Sequence, residues 1–179
     1  MHTEFGLEPF ADARDERAHQ LVTAHLAQAS PAGQFCFVQR SNYDDNAHAL
    51  RWLAERPETD RAAMLAMYWN LGADYLMQYA EAADAPAYEQ ASWQFCRLLE
   101  ARYCGGFYPH AAVYFNPHET DGAYPFEYDG ITRRREAPPA MLATVAGAQR
   151  VDVDADFPDY DDGLPPAVAA AVWALYDED

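Results

Sequence analysis

The stretch that decides the fold runs from residue 42 to residue 79 and reads NYDDNAHALRWLAERPETDRAAMLAMYWNLGADYLMQY. Apolar residues recur in it at intervals of three and four, as with Leu50 and Leu53 and again with Leu65 and Trp69. This spacing is typical of helices that bury one face. The stretch therefore predicts a polar turn, a helix, a tight break, a second helix and the beginning of a third.

The boundaries of these helices follow from a few polar residues, one proline and one glycine. Asp44 and Asp45 precede the first helix, where a carboxylate can accept hydrogen bonds from the free N–H groups of the first turn. Pro57 predicts the end of that helix, because the residue before a proline disfavours the helical conformation. Asp60 is the expected cap of the second helix, and Gly72 is its expected end.

The same residues resemble a known family. The NYDDN turn, the LRWL helix and the segment RPETDRAAMLAMYWNLGADYL are similar to DUF4274, a family of small bacterial domains of unknown function, over roughly residues 42–79. This chain has Asn46 where the family pattern has glycine, and Arg56 and Pro57 where it has His-Pro. The resemblance implies a helical domain with no catalytic residue to carry over. It also implies an immunity role, since members resemble genes found beside polymorphic toxins.

The charge of the chain restricts its partners. There are 29 acidic residues against 12 basic ones, for a formal net charge of −17, and every basic residue is arginine. Such a field repels nucleic acid and anionic membranes, whereas it attracts basic proteins and speeds their association. We therefore expect a protein partner, namely a basic toxin domain, and neither nucleic acid nor a membrane. The alternative interpretation is that the charge only keeps the protein soluble.

The length and the cysteines indicate a single domain in a reducing compartment. A chain of 179 residues fits one domain, which we expect to span residues 1–179. Cys36, Cys96 and Cys104 are an odd number without close pairs, so they do not indicate a disulfide framework. The first residues lack the basic and apolar regions of a signal peptide, and no apolar run reaches the length of a membrane span. A cytoplasmic location is expected.

Three regions follow from the distribution of residue types. A helical core is predicted over residues 42–105, an aromatic-rich excursion over 106–136, and an acidic loop with a terminal helix over 150–179. Asp129 and Gly130 lie between alternating residues, which is typical of a two-residue hairpin turn. The predicted fold class is mainly α, a compact multi-helix bundle with a small β-hairpin excursion around residues 112–134.

Residues 150–163, RVDVDADFPDYDDG, form an acidic loop. Carboxylates steer a basic partner, and tyrosine is a frequent anchor of protein interfaces. The predicted partner-binding residues are Asp152, Asp154, Asp156, Asp159, Asp161, Asp162, Tyr124 and Tyr128. The alternative for this loop is calcium binding by alternate carboxylates, but Phe157 stands where the calcium loop needs glycine and Gly163 where it needs glutamate.

Two other sites are alternatives to partner binding. Asp44, Asp45 and His48 could form an Asp–His general base, although capping of a helix is the simpler role for them. His110 and His118 could converge with Glu119 or Asp121 on a metal ion, although surface histidines are the simpler interpretation. Neither a metal nor a cofactor is therefore predicted. The chain could also be a structural domain that forms a homodimer through its aromatic excursion.

Overall fold

Helices make up most of the structure, and two short strands pair beside them. The computed structural model describes residues 9–120 and 123–177. In chain order the elements are α1 Ala13–Leu26, α2 Pro31–Arg40, α3 Ala47–Ala54, α4 Arg61–Asn70, α5 Ala73–Leu76, α6 Ala87–Cys104, β1 Tyr114–Phe115, α7 Pro139–Leu142, β2 Val145–Ala146, α8 Val153–Asp156 and α9 Pro166–Trp173. The predicted fold class, mainly α with a small β element, is confirmed.

Helix α4 lies at the centre of the fold. Every residue from Ala62 to Trp69 is buried, as expected for a helix that is apolar on all sides. α2, α6 and β1 pack around it. The indole N–H of Trp69 donates to the backbone oxygen of Met141 at 3.0 Å, so the one polar atom of this buried ring is satisfied. The methionines and aromatic residues of the deciding stretch therefore belong to the core.

The ends of α4 follow the sequence prediction. The Asp60 carboxylate accepts a hydrogen bond from the backbone N–H of Ala62 at 2.9 Å and caps the helix. Its second oxygen accepts from the N–H of Ala112 at 2.6 Å, which connects the cap to the segment before β1. Gly72 follows the helix in the left-handed conformation with φ of 73°, which a residue without Cβ adopts at little cost.

The first helix of the stretch is capped differently from the prediction. α3 begins after Asn46, whose side chain makes no capping hydrogen bond. Asp45 instead accepts from the side-chain amide of Asn42 at 2.7 Å, and neither Asp45 nor Asp44 caps the helix. The prediction that these carboxylates cap α3 is therefore wrong, because the turn at residues 43–46 places them one residue too early.

The strands pair across a longer connection than the predicted hairpin. β1 and β2 are antiparallel, with Tyr114 opposite Ala146. Asp129 and Gly130 form a turn, but the structure assigns no strand to the residues on either side of it. The N–H of Phe126 donates to Asp74, and the N–H of Arg134 donates to the oxygen of Met77. Because these backbone groups bond to α5 and the residue after it, they cannot form a ladder with each other.

A helix that crosses a bilayer must be both long and apolar. Within residues 9–120 and 123–177, no helix combines the necessary length with the necessary hydropathy. The apolar helix α4 is ten residues long, and α2, α6 and β1 pack around it. Its hydrophobicity is therefore explained by its central position in the fold.

Candidate functional site

A cleft of about 700 Å³ opens where α1, α3, α9 and the end of the acidic loop meet. We call it the acidic cleft, because five carboxylates line it and no arginine is found among its described lining residues. These carboxylates belong to Asp15, Asp44, Asp45, Asp161 and Asp162. Two of the three residues proposed from sequence as a catalytic group and two of the proposed partner-binding residues thus lie among the carboxylates of one cleft.

A tight turn at residues 161–164 places the end of the acidic loop at the acidic cleft. Asp161 and Leu164 exchange two backbone hydrogen bonds, at 2.9 and 2.8 Å. Asp162 and Gly163 between them have φ of 51° and 74°, and positive φ at both central residues is what a type I′ turn requires. A Cβ atom on Gly163 would come within 2.6 Å of the Cα of Phe37. The turn therefore packs directly on the backbone of α2.

The carboxylate of Asp162 fixes the same turn to the residues before α3. It accepts hydrogen bonds from the backbone N–H of Asn42 and from the side-chain amide of Asn46. Burial raises its pKa above the usual range, and the charges of Asp161 and Asp45 raise it further, while the two hydrogen bonds oppose the shift. The carboxylates of the cleft therefore repel one another, and a cation between them would relieve that repulsion.

Two aromatic side chains of the C-terminal segment stand at the edge of the acidic cleft. The indole N–H of Trp173 donates to Asp161 at 3.0 Å, and the hydroxyl of Tyr176 donates to Asp15 at 2.9 Å. Both rings stay open to solvent, with exposed fractions of 52% for Trp173 and 42% for Tyr176. Desolvation and the hydrogen bond to Asp15 raise the pKa of Tyr176 to about 12. The phenol therefore remains a neutral donor at physiological pH.

A cluster of three rings forms the inner wall of the acidic cleft. The ring centroid of Phe10 lies 4.1 Å from that of His48 and 5.2 Å from that of His19. The two imidazoles are 5.8 Å apart and edge to face. Burial and the neighbouring His48 lower the pKa of His19 below its usual range, so this ring is held neutral. The wall is thus aromatic, and its His19 ring adds no charge at neutral pH.

The predicted general base does not form in this arrangement. In residues 9–120 and 123–177, no hydrogen bond joins His48 to Asp44 or Asp45. The His48 imidazole packs against Phe10 instead. An Asp–His base depends on a hydrogen bond that orients the imidazole, and these residues lack it. They contribute charge and aromatic surface to the cleft.

The remaining carboxylates of the acidic loop form an exposed rim. Asp152 caps α8 by accepting from the backbone N–H groups of Asp154 and Ala155, both at 3.1 Å. Asp154 pairs with Arg40, and Asp156 accepts from the N–H of Asp152 at 3.0 Å. The three carboxylates thus bind the chain itself, and no group of three metal-binding side chains occurs in the described part of the protein.

The predicted tyrosines lie in a different environment from the loop. The Tyr124 ring stacks on Trp69 with centroids 5.2 Å apart, and the Tyr128 hydroxyl donates to Asp74 at 3.4 Å. Among the described contacts, none joins Tyr124 or Tyr128 to the carboxylates of residues 152–162. Tyr124 is half-buried and has a structural role, whereas Tyr128 is 37% exposed.

The other reactive candidates are also explained by packing. The Nε2 atom of the exposed His118 lies 3.1 Å from the backbone oxygen of Leu142, and Glu119 accepts from the hydroxyl of Tyr114. Asp121 lies outside the described residues. Burial raises the pKa of the Cys36 thiol to about 11 and that of Cys96 to about 12, so neither is a thiolate nucleophile at neutral pH.

The fold and the cleft together define a mainly α protein with an acidic, aromatic-walled cleft. The family model of DUF4274, a domain of unknown function, matches residues 29–104. This match confirms the resemblance seen in residues 42–79 and extends it from α2 to the end of α6. No curated protein and no solved structure matches the chain. Of the helices that form the cleft, α3 lies inside the family match, and α1 and α9 lie outside it.

Several charged and aromatic residues of this cleft were not predicted as site residues from the sequence. These residues are Phe10, Asp15, His19, Trp173 and Tyr176. One local signal was present, because Asp162 and Gly163 are an Asp-Gly pair, which is typical of a tight turn. The other residues come from both ends of the described chain, and sequence spacing carries no information about such a meeting.

Proposed function

We propose that this protein is an acidic module that binds a basic protein, and that the partner is a bacterial toxin domain which it inhibits in the cytoplasm. The observation that carries the proposal is the acidic cleft, where five carboxylates lie together without an arginine among the described lining residues. Cations supplied by a partner would offset their mutual repulsion. A toxin is proposed as the partner because the family resemblance implies a gene that lies beside polymorphic toxin genes.

The edge of the cleft has the composition of a protein-binding surface. Trp173 and Tyr176 are exposed there, and tryptophan and tyrosine carry a large share of the binding energy of interfaces. The exposed rim of Asp152, Asp154 and Asp159 extends the negative surface beyond the cleft. Such a rim speeds the approach of a basic partner more than it tightens the final complex.

A second copy of the chain is a poorer occupant of this surface. A symmetric dimer brings the same patch of each copy together. The carboxylates of the cleft would then face each other, and juxtaposed like charges are costly. An enzyme built on Asp44, Asp45 and His48 is also less well supported, because the imidazole packs on Phe10 and, within residues 9–120 and 123–177, has no hydrogen bond to Asp44 or Asp45.

The experiment is to express the basic proteins encoded beside this gene, each with and without this chain. We expect one of them to arrest growth alone and to be neutralised by co-expression. The purified pair should bind in titration calorimetry, with an affinity that falls steeply between about 0.05 and 0.5 M salt because screening weakens charge attraction. If no neighbouring product binds this chain, the proposed function is wrong.

A further inference from the structure

The C-terminal helix α9 is apolar and yet largely uncovered. It reads PAVAAAVW, has no charged residue, and packs on α1. Ala169 is its one buried residue in the structure, while Val168 and Val172 are half-buried. The remaining residues define what we call the α9 outer face, which consists of Pro166, Ala167, Ala170, Ala171, Trp173 and the following Ala174. A helix that is apolar all round is normally enclosed, so this face is a candidate interface.

The α9 outer face is continuous with the acidic cleft through one residue. Trp173 belongs to the face, and its indole N–H donates to Asp161 in the cleft. An occupant of both must therefore present apolar side chains to the helix and a cation to the carboxylates. Charge complementarity selects a basic segment of another protein over a second copy of this chain, whose net charge is also −17.

We propose, on the basis of the function proposed above, that an arginine side chain of the partner enters the acidic cleft while its apolar neighbours lie on the α9 outer face. The volume of about 700 Å³ holds a long side chain together with part of the adjoining segment. The arginine occupies the space between the carboxylates of Asp45 and Asp161 and the aromatic wall.

The walls of the cleft suit arginine better than lysine. A guanidinium is planar, stacks on aromatic faces, is less strongly hydrated than an ammonium and bonds carboxylates through a fork of donors. The cleft offers both kinds of surface, with the rings of Phe10 and His48 on one side and Trp173 at the edge. Burial and the neighbouring His48 keep the pKa of His19 below its usual range, so the His19 ring is neutral and does not repel the guanidinium.

The test uses a blocked seven-residue peptide with one central arginine and a leucine two positions to either side. The full chain is labelled with nitrogen-15, and the indole N–H signal of Trp173 is followed during titration. We expect a saturable shift with the arginine peptide, about threefold weaker binding with lysine in its place and about tenfold weaker binding with neutral citrulline. Equal binding of the citrulline peptide would overturn the inference.

Two matched double variants test whether peptide binding depends on the carboxylates of the cleft or on the overall negative charge of the chain. Asp45→Asn with Asp161→Asn keeps the hydrogen-bond acceptors for Asn42 and Trp173 and removes two charges, so binding should weaken about tenfold. Asp129→Asn with Glu136→Gln removes the same charge at exposed positions away from the cleft and should leave binding nearly unchanged. Equal effects of the two double variants would contradict a specific cleft.

A second pair of variants tests the α9 outer face. Ala170→Gln with Ala171→Gln makes the face polar without adding charge, and it should weaken the arginine peptide severalfold. Ala87→Gln with Ala91→Gln changes exposed alanines of α6 in the same way and serves as the control. If the α9 variant binds as tightly as the wild type, the apolar part of the inference is wrong.

The two proposals can fail separately. A neighbouring toxin that binds equally well to the Asp45→Asn, Asp161→Asn variant would leave the proposed function standing and overturn the arginine site. A peptide that binds as expected, without any neighbouring protein that binds, would support the site and contradict the toxin. Light scattering that shows a dimer lost in Trp173→Ser would identify a second copy as the occupant and overturn the inference.

Discussion

Gly163 is the residue whose replacement should be most informative about the cleft. Gly163→Ala adds a methyl group that would lie within 2.6 Å of the Cα of Phe37, in a residue with φ of 74°. Left-handed backbone alone costs alanine about 1–2 kcal/mol, and the close contact raises the expected loss in free energy of unfolding to about 3 kcal/mol or more. Urea denaturation followed by circular dichroism measures this loss.

Gly130 provides the matched control at the same scale. Its φ of 77° nearly equals that of Gly163, but a Cβ atom there would have no neighbour within 4 Å. Gly130→Ala should therefore lose only the conformational part, about 1–2 kcal/mol. Equal losses in the two variants would show that the turn does not press on α2 as described.

These two glycines also show what could be predicted from the sequence and what could not. Each follows an aspartate, but a hairpin turn was predicted only at Asp129 and Gly130, and Gly163 was placed in an acidic loop. Asp129 and Gly130 form a turn without strands, because the backbone groups around them bond to Asp74 and Met77. Asp162 and Gly163 form the tight turn, because it packs on Phe37. Tertiary contacts, which the local sequence does not contain, decide between the two.

At the scale of elements, the Asp60 carboxylate both caps α4 and holds the segment before β1. Asp60→Ala removes the bonds to the N–H groups of Ala62 and Ala112, and it leaves the N–H of the buried Ala62 without this acceptor. We expect the free energy of unfolding to fall by about 3 kcal/mol, from the lost cap and an unpaired buried group. Chemical denaturation of the purified variant measures the change.

The cap of α1 is the control for Asp60. Asp12 also accepts two hydrogen bonds from the first turn of its helix, but it is exposed to water. Asp12→Ala should cost about 1 kcal/mol or less, since water can satisfy the freed N–H groups. A loss as large as that of Asp60→Ala would argue that burial is not the source of the difference.

The two boundaries of α4 were predictable because their causes are local. Asp60 and Gly72 act within one helical turn of their own positions, and the sequence shows both. The acidic cleft depends on contacts such as that between Asn42 and Asp162, which are 120 residues apart. The carboxylates of Asp44 and Asp45 were noticed for a local role in capping, and their actual environment depends on the distant turn.

At the scale of the whole molecule, two half-buried histidines should make stability depend on pH. Burial lowers the pKa of His19 and His25, and Nδ1 of His19 and Nε2 of His25 are buried without a hydrogen bond in the described structure. The unfolded chain, with ordinary pKa values near 6.5, binds protons before the folded state does. The free energy of unfolding therefore falls as pH drops from about 7 toward the lowered pKa values.

A comparison of variants isolates this effect from the many carboxylates. The loss between about pH 7.5 and 5.5 should be smaller in His19→Gln with His25→Gln than in the wild type, as measured by urea denaturation at both values. Asp162 acts in the opposite direction, because its raised pKa favours proton binding in the folded state, and it is present in both the wild type and the double variant. The exposed His110→Gln is the control, and an equal reduction there would contradict the assignment.

The attachment of α9 mainly to α1 has a further consequence. A helix with one principal neighbour and a single buried residue can detach locally while α4 and its surroundings stay intact. The amide hydrogens of α9 should then exchange with solvent through local unfolding of that helix. Those of α4 should exchange only when the whole protein unfolds. We therefore expect α9, which forms one wall of the cleft, to move away from the rest of the fold at times. A partner that contacts both α9 and the cleft would keep the helix in place.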